Sequence, residues 1–238
     1  MSTIAKLNDR VYQEGDYDKM AIAMTLGLDE HFRKFYMDIV ARELGKCRGK
    51  VLVIDLGAGT GRNVPFLRDR SGTHLVLIDL SFAGLMHAKR KFFKSCQVDY
   101  VCCSAEMLCL RDRCASAIVS SYMLRHVKLS KLVKELQRIS KHNSTIVIVD
   151  FWKSHRAISY ILLLLHLAIL VPLFALVFSP RVFSAYSCLW KFLVELPDVR
   201  DVARLFSLLG NVKMLTFYNM IYVWVIKKQS RSRTVDSS

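Results

Sequence analysis

Short apolar runs alternate with amphipathic segments along most of the chain. Seven of these runs have the length of β-strands, at about residues 50–56, 74–79, 98–102, 115–121, 144–150, 211–217 and 220–227. Between several of them, apolar residues recur at three- and four-residue intervals, as in helices that bury one face. At 128–141, for example, Leu132, Val133, Leu136 and Ile139 share one face, and lysines occupy the other. Strands alternating with helices predict an α/β fold with a mostly parallel sheet.

A glycine-rich loop follows the first apolar run. It reads Asp55-Leu-Gly-Ala-Gly-Thr-Gly61. Glycine has no Cβ, so Gly57, Gly59 and Gly61 allow positive φ and a close approach of the backbone to a ligand. Ligands of open α/β sheets bind beyond the carboxyl ends of the strands. The loop differs from the dinucleotide fingerprint G-x-G-x-x-G, because Arg62 stands where the third glycine is required.

An acidic residue ends the second run. Asp79 comes roughly 20 residues after the glycine loop, where nucleoside-binding sheets place the carboxylate that accepts hydrogen bonds from both ribose hydroxyls. The alternative is that Asp79 caps the next helix, a role that Ser81 would share. Together with the glycine loop, this residue favours a nucleoside site.

The composition adds a strongly basic balance. The chain has 238 residues, 53% of them hydrophobic, and a formal net charge of +15. A basic surface suits nucleic acid, anionic lipid or acidic metabolites, and charge alone does not choose among them. The seven cysteines contain no C-x-x-C pair and no histidine pair completes a zinc pattern, so no metal site is expected. No signal peptide is expected either, because charged residues are scattered through the first 19 positions.

Residues 157–178 carry no formal charge over 22 positions and are long enough to cross a membrane. The runs at 211–217 and 220–227 must nevertheless join the same sheet, and one crossing would leave them on the wrong side. We therefore expect a segment that lies in the membrane interface or forms a hairpin near Pro172. The alternative is a helix buried in a homodimer contact or under a lid.

Several motifs resemble the ubiquinone/menaquinone biosynthesis C-methyltransferases, a branch of the class I S-adenosylmethionine-dependent methyltransferases. The resemblance extends over about residues 12–228. The family patterns Y-D-x-M, D-x-G-x-G-x-G, D-x-S, A-E and S-F-G-L-R-N-V correspond to Tyr17-Asp-Lys-Met20, Asp55–Gly61, Asp79-Leu-Ser81, Ala105-Glu106 and Ser121-Tyr-Met-Leu-Arg-His-Val127. The last loop is the piece most specific to this branch.

The resemblance implies a seven-stranded, mostly parallel, doubly wound Rossmann-like sheet. The apolar run at 157–178 adds an extra helical segment between strands 5 and 6. It implies one methyltransferase domain over 1–228. The residue pattern predicts an N-terminal helical cap at 1–48 and a disordered basic tail at 229–238. It also implies S-adenosylmethionine as the cofactor. The cofactor-binding residues carried over or placed beside the motifs are Asp55, Gly57, Gly59, Gly61, Asp79, Leu80, Ser104, Ala105, Glu106 and Ser121.

The expected catalytic residues are Arg125, His126 and Asp150. Methylation at a ring carbon requires a phenolate, for which Arg125 would supply the stabilising charge. His126 would act as a base with a pKa near neutrality, and Asp150 at the end of the fifth strand faces the same edge. Each also has a structural interpretation: a surface arginine, a loop histidine and a helix cap. The loop departs from the family pattern, since Met123 replaces glycine and His126 replaces asparagine.

These observations favour a C-methyltransferase acting on a quinone- or hydroquinone-type lipid precursor such as demethylmenaquinone. The expected setting is the cytoplasm, with peripheral or monotopic membrane contact, a transmembrane helix at 157–178 remaining open. The alternatives are methylation of another lipid, methylation of RNA, and a non-catalytic methyltransferase-like scaffold at a membrane. RNA is disfavoured because no separate RNA-binding module and no N-P-P-Y-type sequence follow the fourth run.

Overall fold

The computed structural model describes residues 11–12, 17–47, 49–67, 72–94 and 97–229. Seven strands form one sheet in the order β3-β2-β1-β4-β5-β7-β6. Their bounds are β1 Val51–Leu56, β2 Thr73–Asp79, β3 Val98–Cys102, β4 Ala115–Ser121, β5 Ser140–Phe151, β6 Asn211–Phe217 and β7 Ile221–Lys227. The first five strands are parallel, and β7 is antiparallel to both of its neighbours. The predicted mostly parallel sheet is confirmed, whereas the predicted tail lies outside the described residues from position 230 on.

Nine α-helical segments accompany the sheet within the described ranges. They are α1 Tyr17–Met24, α2 Asp29–Leu44, α3 Phe82–Phe92, α4 Leu129–Ile139, α5 Ala157–Leu165, α6 Val171–Phe178, α7 Phe183–Tyr186, α8 Leu189–Glu195 and α9 Val199–Ser207. Helix α4 buries the apolar face predicted for it, with Leu132, Val133, Leu136 and Ile139 all inside. Helices α1 and α2 fall within the predicted N-terminal cap.

The strand order places the site. Strand β1 lies between β2 and β4. Strands β2 and β3 are added on one side of β1, and β4 and β5 on the other, so the strand order reverses at β1. Crevices outside the carboxyl ends of strands at such a switch point bind ligands in doubly wound folds. The glycine loop follows β1 at this point, Asp79 ends β2, and Ser121 ends β4.

Strand β5 is longer than the sequence pattern predicts. It begins at Ser140 rather than near residue 144, directly after α4 ends at Ile139. Ser140 is the helix C-cap, and its backbone is already extended. The pairing with β4 is irregular between Ala115 and Ala117. The extra residues, 140–143, are all polar, so no apolar run marks them in the sequence.

The apolar segment is one continuous helix from Ala157 to Phe178, so the predicted hairpin near Pro172 is wrong. A π-helical turn at His166–Leu170 precedes Pro172, which stands at the start of α6. The π turn changes the hydrogen-bonding register just before the proline, and the helix continues in the same direction. The helix is long and apolar enough to cross a membrane by length and composition, and only 28% of its most apolar stretch is buried.

Candidate active site

A cavity of about 320 Å³ opens at the carboxyl ends of the central strands. The sequence-predicted residues in its wall are Gly57, Asp79, Leu80, Ser104, Ala105, Glu106, Ser121, Arg125 and His126. Four segments that are distant in the sequence thus meet at one place. Three predicted site residues, Asp55, Gly61 and Asp150, are not part of the wall. Gly59 is not part of it either, but it lies next to the wall residues Tyr12 and Asp79.

Asp79 fixes the glycine loop as well as facing the cavity. One carboxylate oxygen accepts a hydrogen bond from the Gly59 backbone N–H at 2.8 Å, and the other accepts from the Ser81 N–H at 2.8 Å. Ser81 caps α3 by accepting from the Gly84 N–H. The helix cap is therefore Ser81, which leaves Asp79 oriented at the cavity edge.

Two large side chains lie against the glycines. A Cβ at Gly57 would lie 2.9 Å from the Met123 side chain, and a Cβ at Gly59 would lie 2.6 Å from the Tyr12 hydroxyl. Both glycines have positive φ, +74° and +51°. Met123 therefore occupies space that a glycine at its position would leave open, and any substitution of Gly57 or Gly59 is both strained and crowded.

A buried polar network supports the loop from behind, and the sequence pattern did not indicate it. Asn63 donates to Asp55 at 2.9 Å and accepts from Arg33 at 2.5 Å. Arg33 is also paired with Asp29 at 3.1 Å. Burial raises the pKa of Asp55 to about 6, against the lowering effect of the Asn63 hydrogen bond. Asp55 thus shapes the loop and does not reach the cavity.

Charged residues also tie α1 to the loop. Asp18 accepts from the Thr60 hydroxyl at 2.8 Å and pairs with Lys91 of α3 at 2.5 Å. Arg62 pairs with Asp29 at 2.7 Å. The sequence places Asp29 and Arg33 four residues apart on α2, a spacing that could have indicated an ion pair.

The loop after β3 forms a further wall. The Ser104 hydroxyl accepts from the Glu106 backbone N–H at 3.1 Å, so its side chain serves the local turn. The Glu106 carboxylate accepts from the Lys128 N–H at 2.9 Å and pairs with Lys131 at 3.4 Å. These bonds lower the pKa of Glu106, the Lys128 hydrogen bond most of all. The turn and α4 are thereby joined.

Arg125 and Asp150 form a buried ion pair after β4. Asp150 is completely buried and accepts from Arg125 Nη1 at 2.7 Å, from the Leu124 N–H at 2.9 Å and from the Phe151 N–H at 2.8 Å. Burial raises the pKa of Asp150, while Arg125 acts in the opposite direction. Since its hydrogen-bonding capacity is directed at this loop, Asp150 positions Arg125 in the cavity wall.

His126 does not have the pKa near neutrality that the sequence suggested. Burial, and secondly the charge of Arg125, lower the pKa of His126 to about 3. Its ring packs edge-on against Phe192 of α8 at 5.9 Å. The imidazole is therefore uncharged in the neutral range, and it is a much weaker base than expected.

Comparisons with known proteins agree with this architecture. Residues 54–148 match a family described as a methyltransferase domain. The ubiquinone/menaquinone biosynthesis C-methyltransferase UbiE of Desulfotalea psychrophila is 28% identical over 83% of this chain and 78% of its own length. The enzyme of that name from Xylella fastidiosa strain M23 is 26% identical over 57% of this chain and 54% of its own length.

A solved structure shows the same fold. The geranyl diphosphate C-methyltransferase from Streptomyces coelicolor A3(2), in complex with Mg²⁺, geranyl-S-thiolodiphosphate and S-adenosyl-L-homocysteine, has a TM-score of 0.59 at 14% identity, over 90% of this chain and 81% of that one. This chain is a class I S-adenosylmethionine-dependent methyltransferase. It resembles the ubiquinone/menaquinone biosynthesis C-methyltransferases.

S-adenosylmethionine is the cofactor of this methyltransferase, and the cavity suits it. The oriented carboxylate of Asp79 supplies hydrogen-bond acceptors beside the glycine loop, whose Gly57 backbone forms part of the cavity wall. Leu80, Cys103 and Ala105 supply an apolar wall next to it. A carboxylate beside an apolar slot is a suitable site for a ribose and its base.

Proposed function

We propose that this methyltransferase transfers the methyl group to a ring carbon of a quinol-type lipid precursor such as demethylmenaquinone. The ion pair in the cavity wall carries the proposal. Arg125 is fixed by Asp150 through Nη1, and its buried Nε has no hydrogen-bond partner in the described part of the chain. A cation held in place in the cavity wall is suited to stabilising a phenolate oxygen. The name of the Desulfotalea relative supports the same substrate class.

The chain would contribute positioning and electrostatics. When bound, S-adenosylmethionine supplies an electrophilic methyl group on a sulfonium sulfur. Arg125 would stabilise the phenolate that makes the ring carbon nucleophilic, and Asp150 would hold the guanidinium in place. Holding donor and acceptor in line supplies roughly 7–11 kcal/mol of the barrier in well-oriented systems.

We assign the cofactor to the β1–β3 side of the cavity. Asp79 would accept hydrogen bonds from the ribose hydroxyls of the cofactor, and the adenine base would lie against the apolar wall beside Leu80. Glu106 and Ser104 would shape that wall through the turn after β3. The methionine end would lie toward Gly57 and Ser121, which face the cavity from the β1 and β4 ends.

The low pKa of His126 predicts an unusual pH profile. The imidazole stays neutral down to about pH 3, so kcat should show no acid limb near the ordinary histidine pKa of about 6.5. His126→Asn should keep both the profile and a kcat within about threefold, because no charge is removed. Steady-state rates of both proteins over the neutral and mildly acidic range check this. A limb near that ordinary pKa that disappears in His126→Asn would restore the general-base role.

We further propose that the helix Ala157–Phe178 lies in a membrane interface on the cytoplasmic side, where a lipophilic acceptor resides. Its exposed apolar side chains include Ile158, Ile161, Leu162, Leu165, Ile169, Leu170, Leu173, Leu176, Val177 and Phe178. Strand β5 precedes the helix, and β7 follows it and pairs with β5 over seven residues. A single crossing would separate these paired strands. Lys153, Arg156 and Arg181 flank the helix as suitable contacts for anionic headgroups.

Vesicle binding tests this placement. The double variant Leu165→Glu/Ile169→Glu puts two charges on the exposed face, where each apolar side chain contributes about 1.5–3 kcal/mol on full burial. We expect its binding to anionic phospholipid vesicles in a flotation assay to fall at least about tenfold. The control is Phe93→Glu, which charges an apolar residue beyond the end of α3 that is more exposed than either Leu165 or Ile169. Equal binding by all three proteins would contradict the proposal.

The substrate class is tested by following methyl label. Purified protein is incubated with methyl-labelled S-adenosylmethionine and either membrane lipid extract or RNA. Label in an organic-soluble quinol, with incorporation lost in Arg125→Gln, is the expected result. Label in another lipid class or in RNA would overturn the substrate proposal. Absence of label from both fractions would favour a non-catalytic scaffold at the membrane.

A further inference from the structure

Tyr122 has three features that packing alone does not require. Its backbone φ is +59°, a left-handed conformation that residues with a side chain rarely adopt. Its side chain lines the cavity. Its hydroxyl is buried and makes no hydrogen bond within the described ranges. Backbone strain and an unsatisfied buried polar atom are features that concentrate at functional positions.

The position of Tyr122 in the sheet points to the acceptor. Asp79 and the Ser104–Ala105 turn follow β2 and β3, on one side of β1. Tyr122 follows β4, on the other side, and its ring stacks on Phe151 at the end of β5 with centroids 5.3 Å apart and planes at 28°. The stacked ring has a fixed direction, and Arg125 lies three residues further along the same loop.

The neighbours of the Tyr122 hydroxyl are already engaged with one another. Burial, and then Tyr36 and Asp29, raise the pKa of Tyr122 well above its usual value, so the hydroxyl keeps its proton. Arg33, which opposes this shift, donates to Asp29, to the Tyr36 hydroxyl at 2.8 Å and to Asn63. The Tyr122 hydroxyl is therefore a neutral donor and acceptor that is buried without a partner among the described residues, on a residue that lines the cavity.

We propose that Tyr122 is a second anchoring point for the acceptor, where its hydroxyl hydrogen-bonds a hydroxyl or carbonyl oxygen of the ring other than the oxygen at Arg125. This inference rests on the proposed C-methylation of a quinol-type acceptor. It requires the acceptor ring to carry two oxygen substituents, as a quinol does. The family pattern S-F-G-L-R-N-V has phenylalanine at this position, so the contact belongs to this chain's own loop.

The test compares two acceptors in wild type and Tyr122→Phe, which removes only the hydroxyl. The acceptors are a prenylated naphthohydroquinone and the monohydroxy naphthol with the same prenyl chain. We expect Tyr122→Phe to lower kcat/KM for the dihydroxy acceptor about tenfold, chiefly through KM, because a buried oxygen loses its partner. For the monohydroxy acceptor kcat/KM should stay within about twofold.

The matched control is Tyr100→Phe. Tyr100 also has a buried hydroxyl without a partner among the described residues, but it lies on β3 outside the cavity wall. Tyr100→Phe should leave kcat/KM unchanged for both acceptors. An equal loss with both acceptors in Tyr122→Phe, or weaker S-adenosylmethionine binding by calorimetry, would assign the hydroxyl to the fold or the cofactor and overturn the inference alone. If wild type methylates neither acceptor, the proposed function fails and the inference with it.

Discussion

Arg125→Gln should lower kcat by roughly two to three orders of magnitude, the loss typical of removing one donor that stabilises a developing anion. Glutamine is polar and fits the space, but it carries no charge for the phenolate. Removing the guanidinium also leaves the buried carboxylate of Asp150 without the partner 2.7 Å away. The measurement is single-turnover methyl transfer to the quinol at saturating cofactor, because that readout isolates the chemical step.

Two variants separate the role of Arg125 from general loss of charge. Arg90→Gln removes a positive charge from an exposed position on α3 and should leave kcat unchanged. Arg125→Lys keeps the charge but lacks the planar fork that reaches Asp150 and the cavity together, so we expect an intermediate loss of about tenfold. If Arg125→Gln retained wild-type kcat while folded, Arg125 would be only a structural partner of Asp150.

The sheet was predictable because its signal is local. The period of apolar residues within about ten positions indicates strands and helices. The carboxyl ends of parallel strands must then lie at one edge of the sheet. The sequence alone therefore places Asp79 beside the glycine loop. The β5 extension could not be predicted, since Ser140 to Asn143 are polar residues, and the strand starts at Ser140 because α4 ends there in an already extended backbone.

The chemistry of the site depended on contacts between distant segments. The low pKa of His126 arises from burial near Phe192, which lies on a helix 66 positions further along the chain. Arg33 reaches Asn63 across 30 positions, and no spacing rule connects those residues. The helix is unbroken at Pro172 for a local reason. A π turn just before the proline accommodates it, and composition does not indicate such a turn.

Asp79→Asn should weaken S-adenosylmethionine binding on the order of a hundredfold. A carboxylate forms charge-assisted hydrogen bonds with both ribose hydroxyls, each contributing about 1.5–3 kcal/mol, whereas an amide offers one acceptor oxygen and no charge. The same side chain accepts from Gly59 and Ser81, so the substitution also loosens the glycine loop. Isothermal titration calorimetry with S-adenosylmethionine gives the Kd directly.

A matched substitution decides between lost contacts and lost charge. Asp99→Asn removes a carboxylate from β3 that is exposed and pairs with His74, away from the cavity wall, and it should bind the cofactor like wild type. Unchanged affinity in a folded Asp79→Asn protein would mean that Asp79 serves only the loop. The expected result is that Asp79→Asn loses cofactor binding while quinol binding, measured by fluorescence quenching, stays unchanged. That result would place the nucleoside on the β2 side of the cavity and the acceptor on the Arg125 side. The two ligands would then approach each other above β1, at the point where the strand order reverses.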